Sequence, residues 1–152
     1  MVARLHADRS PPMSRFRDVT PNFAVSPQIT VADVHAAAAD GFAAVIINRP
    51  DGEELDQPRA ADIAAAARAE GLRVTEIPIN GALGPQPDDI TRMAEALAAA
   101  PGPVLAYCRS GTRSVILWAL AQAHAGVPAQ ELIRAAAGAG YDISGLAGRL
   151  GR

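Results

Sequence analysis

The 152-residue chain holds one cysteine, Cys108, so no disulfide can form within it, and the sequence fits a reducing compartment. Aromatic residues are nearly as scarce, with one tryptophan, two tyrosines and three phenylalanines. The core must therefore rest on aliphatic side chains and alanine, a composition that favours closely packed helices. No apolar run approaches the ~20 residues of a membrane span, and the N-terminus lacks the continuous apolar stretch of a signal peptide. A cytoplasmic protein with no membrane partner is expected. Neither sign of charge dominates: 14 basic and 16 acidic residues leave a net charge of −2, too weak a field to invite nucleic acid. The three histidines, His6, His35 and His124, have no ligand spacing to one another or to Cys108. No zinc site is predicted, although a distant Cys–His pair stays open.

What is present is an alternation of short apolar runs and alanine-rich stretches. Residues 1–20 carry Arg4, Arg9, Arg15 and Arg17 around Ser10-Pro11-Pro12 without periodicity. They read as a flexible N-terminal arm or as an irregular segment laid along the body. Residues 21–152 read as one domain. Strands are predicted at Asn22–Val25, Phe42–Ile47, Leu72–Ile79 and Val104–Tyr107. Helices are predicted from Thr30, capped with Asp33, through Ala39, and at Pro58–Glu70, Pro87–Ala100, Arg113–Ala125 and Gln130–Ala137. Strands alternating with helices imply a three-layer α/β domain with a four-stranded, mostly parallel sheet.

One segment carries chemistry. Cys108-Arg109-Ser110-Gly111-Thr112-Arg113 (CRSGTR) follows a predicted strand and opens a helix. In an open α/β sheet, ligands bind beyond the carboxyl ends of the strands. Gly111 allows a tight turn, and successive N–H groups with the helix start can form a nest for an anion. Such surroundings favour a thiolate, so Cys108 is the candidate nucleophile, reachable inside a ring of amides. Arg113 can close the ring through its planar fork. Ser110, Thr112 and Ser114 supply hydroxyls to the thiolate or the loop, and Arg109 can point outward to meet an anion. Arg49, at a strand end, either guides an anion or pairs with Asp51 or Glu53 on the surface. Asn48 is expected to shape the turn. Trp118 is read as core, and Tyr141 as packing on the sheet edge or forming a partner surface.

The loop resembles those of rhodaneses and protein tyrosine phosphatases. Together with NFAVSPQIT, FAAVIINRPDGEE, VTEIPING and AAAGAGYDISGL, it makes the chain similar to the DUF442 family, small domains with a dual-specificity-phosphatase-like fold often regarded as sulfur transferases. The resemblance implies a protein-tyrosine-phosphatase-like architecture. It also implies a partnership with a persulfide dioxygenase, to which such domains can be fused. Phosphatases of this group have five residues between cysteine and arginine; here four intervene, the spacing of many rhodaneses. The histidine that usually precedes the cysteine is Tyr107. The place of the proton-donating aspartate reads Asn80-Gly81, while Asp88 and Asp89 suit a helix start better than acid catalysis, and Asp51 sits in a turn.

These departures favour a sulfurtransferase that carries sulfane sulfur as a Cys108 persulfide between a small anionic sulfur donor and a thiol acceptor, with no metal or organic cofactor. Hydrolysis of a phosphate ester through a Cys108 thiophosphate is the alternative, and a non-catalytic anion-binding module is a third.

Overall fold

The computed structural model describes residues 16–151; His6 and most of the expected arm lie outside the described residues. The sheet has five strands rather than four: β1 Arg17–Thr20, β2 Phe23–Ser26, β3 Ala44–Ile47, β4 Arg73–Glu76 and β5 Val104–Tyr107, in the spatial order β1-β2-β5-β3-β4. The extra strand comes from the end of the segment read as an arm. Arg17–Thr20 pairs antiparallel with β2 and buries only Val19, too short a pattern to stand out in the sequence. The remaining pairings are parallel, as expected.

Each central strand is buried on both faces, and alternate residues enter different cores. Val104 and Ala106 of β5, with Ala44 and Ile46 of β3, face one cluster; Leu105, Tyr107, Val45 and Ile47 face the other. The second face is covered by α1 Val31–Ala39 and α2 Ala60–Ala69, whose alanines at 37, 64 and 67 allow close approach to the sheet. The first face is covered by α3 Pro87–Ala99, α4 Thr112–His124, α5 Ala129–Gly138 and the short closing helix α6 Ala147–Leu150. The predicted Thr30–Asp33 capping box starts α1, with Asp33 N–H donating to Thr30 Oγ1 at 3.1 Å and Thr30 N–H to Asp33 Oδ2 at 2.8 Å.

The helix that follows the cysteine loop, α4, is the most enclosed of these. Ser114, Val115, Leu117, Trp118, Ala119, Leu120 and Ala121 are all buried. Trp118 stacks on Phe23 of β2, with ring centroids 5.5 Å apart and planes 8° from parallel. Among the described residues, no helix is long and apolar enough to cross a membrane. Trp118→Ala would leave a large void at the centre of the first core, and a loss of about 3–5 kcal/mol is expected from urea unfolding.

Candidate active site

The central position of β5 places Cys108 between the carboxyl ends of β2 and β3. Both neighbours hold the loop's entry: Cys108 N–H donates to Ser26 O at 3.4 Å, and Asn48 N–H donates to Tyr107 O at 2.9 Å. Gly111 then turns the chain with φ +97°, a left-handed conformation that side chains resist. Its N–H donates to Cys108 Sγ at 3.0 Å. Immediately after it α4 begins, and the backbone N–H groups of Arg109, Ser110, Arg113 and Ser114 donate to no acceptor among the described residues. Two unmatched donors in the loop and two in the first turn of the helix bring positive potential to this end of the sheet.

The sulfur is less open than the sequence suggests. Cys108 is fully buried, at the floor of the loop. Its setting is nevertheless polar, with the Gly111 N–H above it and the Arg113 guanidinium alongside. Arg113 is raised above its ordinary basicity, first by its hydrogen bonds to Glu53 and further by Cys108.

Glu53 is the residue that sequence reasoning weighed only as a surface partner for Arg49. Arg113 Nη1 donates to Glu53 Oε2 and to Ile79 O, both at 2.8 Å, and Nη2 donates to Glu53 Oε1 at 2.9 Å. Of the five guanidinium hydrogens, this leaves the one on Nε and one on Nη2, the side-on fork, for any other acceptor. Arg49 is buried, and among the described residues none of its hydrogen bonds goes to the loop. Its Nε donates to Glu53 Oε1 at 2.9 Å, Nη2 to Glu54 Oε1 at 2.9 Å and Nη1 to Gln28 Oε1 at 3.1 Å. Burial works against its charge, but the two carboxylates outweigh that and its basicity is raised. The Asp51 pairing weighed for Arg49 is not made: Asp51 Oδ1 accepts from Ala60 N–H at 2.7 Å and caps α2. The spacing of Glu53 and Glu54 after Arg49 was the signal available; Gln28 carried none.

The remaining loop residues divide. Arg109 points outward, 63 % exposed, and pairs with Glu54 at 3.2 Å. Ser110 Oγ donates to Thr112 Oγ1 at 3.0 Å and accepts from Thr112 N–H, so these hydroxyls brace the turn instead of serving the sulfur. Ser114 is buried and its hydroxyl donates to Asn48 Oδ1 at 2.8 Å, so the hydroxyl is turned to the strand end while the backbone N–H stays unmatched. Asn48 does more than shape a turn: its Nδ2 donates to Ile77 O at 2.8 Å, and its carbonyl accepts from Ile79 N–H at 2.9 Å. Tyr141 packs over the loop, donating to Ser110 O at 2.8 Å, and a Cβ added to Gly111 would collide with its hydroxyl.

Asn80 holds a turn by accepting from the N–H groups of Ala82 and Leu83, and Gly81 lies beside Arg113. Asp89 caps α3 with Gln86, as expected. Neither described histidine reaches Cys108: His35 pairs with Glu70, and His124 closes α4, about 18 Å along the helix from its start. Among the described residues, no group of three or more potential ligands could hold a metal ion.

With this geometry in view, residues 15–125 match the family model described as beta-lactamase hydrolase-like protein, phosphatase-like domain. A beta-lactamase hydrolase-like protein of Agrobacterium fabrum is 37 % identical over 99 residues, which are 65 % of this chain and 23 % of that protein. The chain spans about a quarter of the length of the curated relatives it matches. The crystal structure of a candidate phosphatase from Neisseria meningitidis is similar with a TM-score of 0.78 and 34 % identity, covering 90 % of this chain and 96 % of that one. Tk-PTP in its active form shares the fold, with a TM-score of 0.67 at 19 % identity over 91 % of this chain and 94 % of that one.

Glu53 gives a measurable handle on the arginine network. Hydrogen bonds from Arg113, joined by those from Arg49, lower its pKa from 4.5 to about 2. A carboxylate depressed in the folded state adds stability that is complete above its unfolded pKa and disappears as pH falls through the folded one. Between those two values, melting temperature is expected to fall more steeply in the native protein than in Glu53→Gln. Parallel curves would remove the pair from the energetics of the fold.

Proposed function

This chain belongs to the phosphatase-like domain family of beta-lactamase hydrolase-like proteins, and from that premise we propose that it is a cysteine-dependent enzyme that hydrolyses phosphate esters at the CRSGTR loop. The observation that carries the reading is a loop and first helical turn in which the Gly111 N–H already donates to the Cys108 sulfur while the N–H groups of Arg109, Ser110, Arg113 and Ser114 have no acceptor among the described residues. Donors fixed in advance around the place where charge develops stabilise a transition state without reorganising.

In this mechanism the Cys108 sulfur attacks phosphorus and the P–O bond to the leaving group breaks, giving a thiophosphate on Cys108. Water then attacks phosphorus, the P–S bond breaks, and phosphate leaves as the thiolate re-forms. Arg113 takes oxygens of the transferring group on its side-on fork while Glu53 keeps the other edge of the guanidinium occupied. With Asn80 and Gly81 where an acid would stand, leaving groups that depart as stable anions, such as aryl oxides, suit the site.

Sulfur transfer, the leading expectation from the sequence, is backed by none of the comparisons and becomes the second reading. One observation favours it: only four residues separate Cys108 from Arg113, leaving less room than a phosphoryl group has in a longer loop. In that chemistry the Cys108 thiolate attacks the outer sulfur of a donor, sulfite or a thiolate departs, and a thiol acceptor later removes the sulfur from the Cys108 persulfide. A partnership with a persulfide dioxygenase belongs to this reading alone.

Two assays on the same protein separate the readings. Release of nitrophenol from p-nitrophenyl phosphate, abolished in Cys108→Ser, is expected. Thiocyanate from thiosulfate and cyanide, with no nitrophenol, would replace hydrolysis by sulfur transfer. Arg113→Ala is expected to lower kcat/KM by about 10²–10³-fold, the usual cost of removing one charge-stabilising donor.

A further inference from the structure

We propose that Arg49 is a positioning residue that sets both arginines at the mouth of the loop, Arg113 through Glu53 and Arg109 through Glu54. Among the described residues, none of its hydrogen bonds or ion pairs goes to the loop itself. Its side chain is 2 % exposed, while those of its two carboxylate partners are 26 % and 46 % exposed. The buried guanidinium is thus the fixed post, and the carboxylates are the arms that reach from it to the loop.

The geometry of each arm supports this assignment. Glu53 Oε1 accepts from Arg49 Nε and from Arg113 Nη2, both at 2.9 Å, and Oε2 accepts from Arg113 Nη1 at 2.8 Å. One carboxylate therefore joins two guanidiniums and holds Arg113 by its end-on edge. Glu54 repeats the device, with Oε1 on Arg49 Nη2 at 2.9 Å and Oε2 on Arg109 Nη2 at 3.2 Å. Gln28 takes the last nitrogen of Arg49 at 3.1 Å and ties the post to the chain after β2. Gln28 N–H also donates to Arg109 O at 3.4 Å, so the same residue braces the loop backbone.

Without Arg49, Glu53 would face Arg113 alone and would be free to move onto its side-on fork. An entering anion would then compete with a tethered carboxylate for the same two hydrogens. A lysine cannot replace the post, because one ammonium does not present a planar fork to two carboxylates and an amide.

The inference rests on the reading that Arg113 receives the anion, and the test separates the two. Affinity for inorganic phosphate, and separately for thiosulfate, is measured from the rise in melting temperature with ligand concentration. The melting point without ligand reports folding in the same experiment. Arg49→Met is expected to weaken affinity for whichever anion binds by about tenfold in the native background, within the range for coupled neighbours. In a Glu53→Gln background the same substitution should have a smaller effect, under about threefold, because the arm to Arg113 is gone and only the exposed Glu54–Arg109 pair is left for it to act through. If Arg49→Met does not fold, Arg49→Lys replaces it with the same expected loss. An unchanged affinity in a folded Arg49 variant overturns the proposal, and an equal loss in both backgrounds overturns the route through Glu53. Should neither anion stabilise the unmodified protein, the anion-cradle reading fails and the relay falls with it.

Discussion

Ser114 and Asn48 meet in a buried hydrogen bond of 2.8 Å, and the site is organised around it. Ser114 lies in the first turn of α4, directly after Arg113; Asn48 directly follows β3. Through its backbone and amide, Asn48 also bonds Tyr107 at the end of β5 and Ile77 and Ile79 beyond β4. One residue, through its backbone and its amide together, thus locks three strand ends to the helix that begins at the loop. An unmatched polar group in this interior would be costly, so the four partners have little freedom to separate. This buried polar node fixes the end of the loop at Ser114, while Ser26, Gln28 and Tyr141 hold its backbone from the other sides.

The second layer of organisation is electrostatic. Three arginines around one loop would repel one another, and the two glutamates of the PDGEE turn separate them. Arg49 and Arg113 share Glu53, while Arg49 and Arg109 share Glu54. Such a network differs from a set of isolated surface pairs, whose contribution is small, because its central member is buried and each carboxylate is held from two sides. It also leaves the three arginines and two glutamates with a modest net positive charge without making the whole surface basic.

Much of this architecture was legible in the chain. Alternating apolar runs and alanine helices announced a parallel α/β sheet, and Cys108, Gly111 and Arg113 announced the loop. The edge strand Arg17–Thr20 was hidden because a four-residue strand with one buried side chain leaves almost no periodic signal. The partnership of Ser114 and Asn48 was hidden for a related reason: residues 66 positions apart gave no local sign that each completes the other's hydrogen bonding. Arg49 read as a strand-end residue that either guided an anion or paired on the surface, yet it is buried, with acceptors from two different segments, Gln28 and the Glu53–Glu54 turn. Long-range polar partnerships of this kind appear only once the sheet has brought strand ends together.

The stacking of Trp118 on Phe23 gives the molecule a built-in optical reporter. It is the chain's one indole, and it sits in the helix whose first turn carries Arg113 and Ser114. Because that helix is enclosed along most of its length, a displacement at its start would be passed along a stiff rod to the ring pair. Emission from this indole therefore reads the seating of the helix that frames the cysteine, without any label being attached.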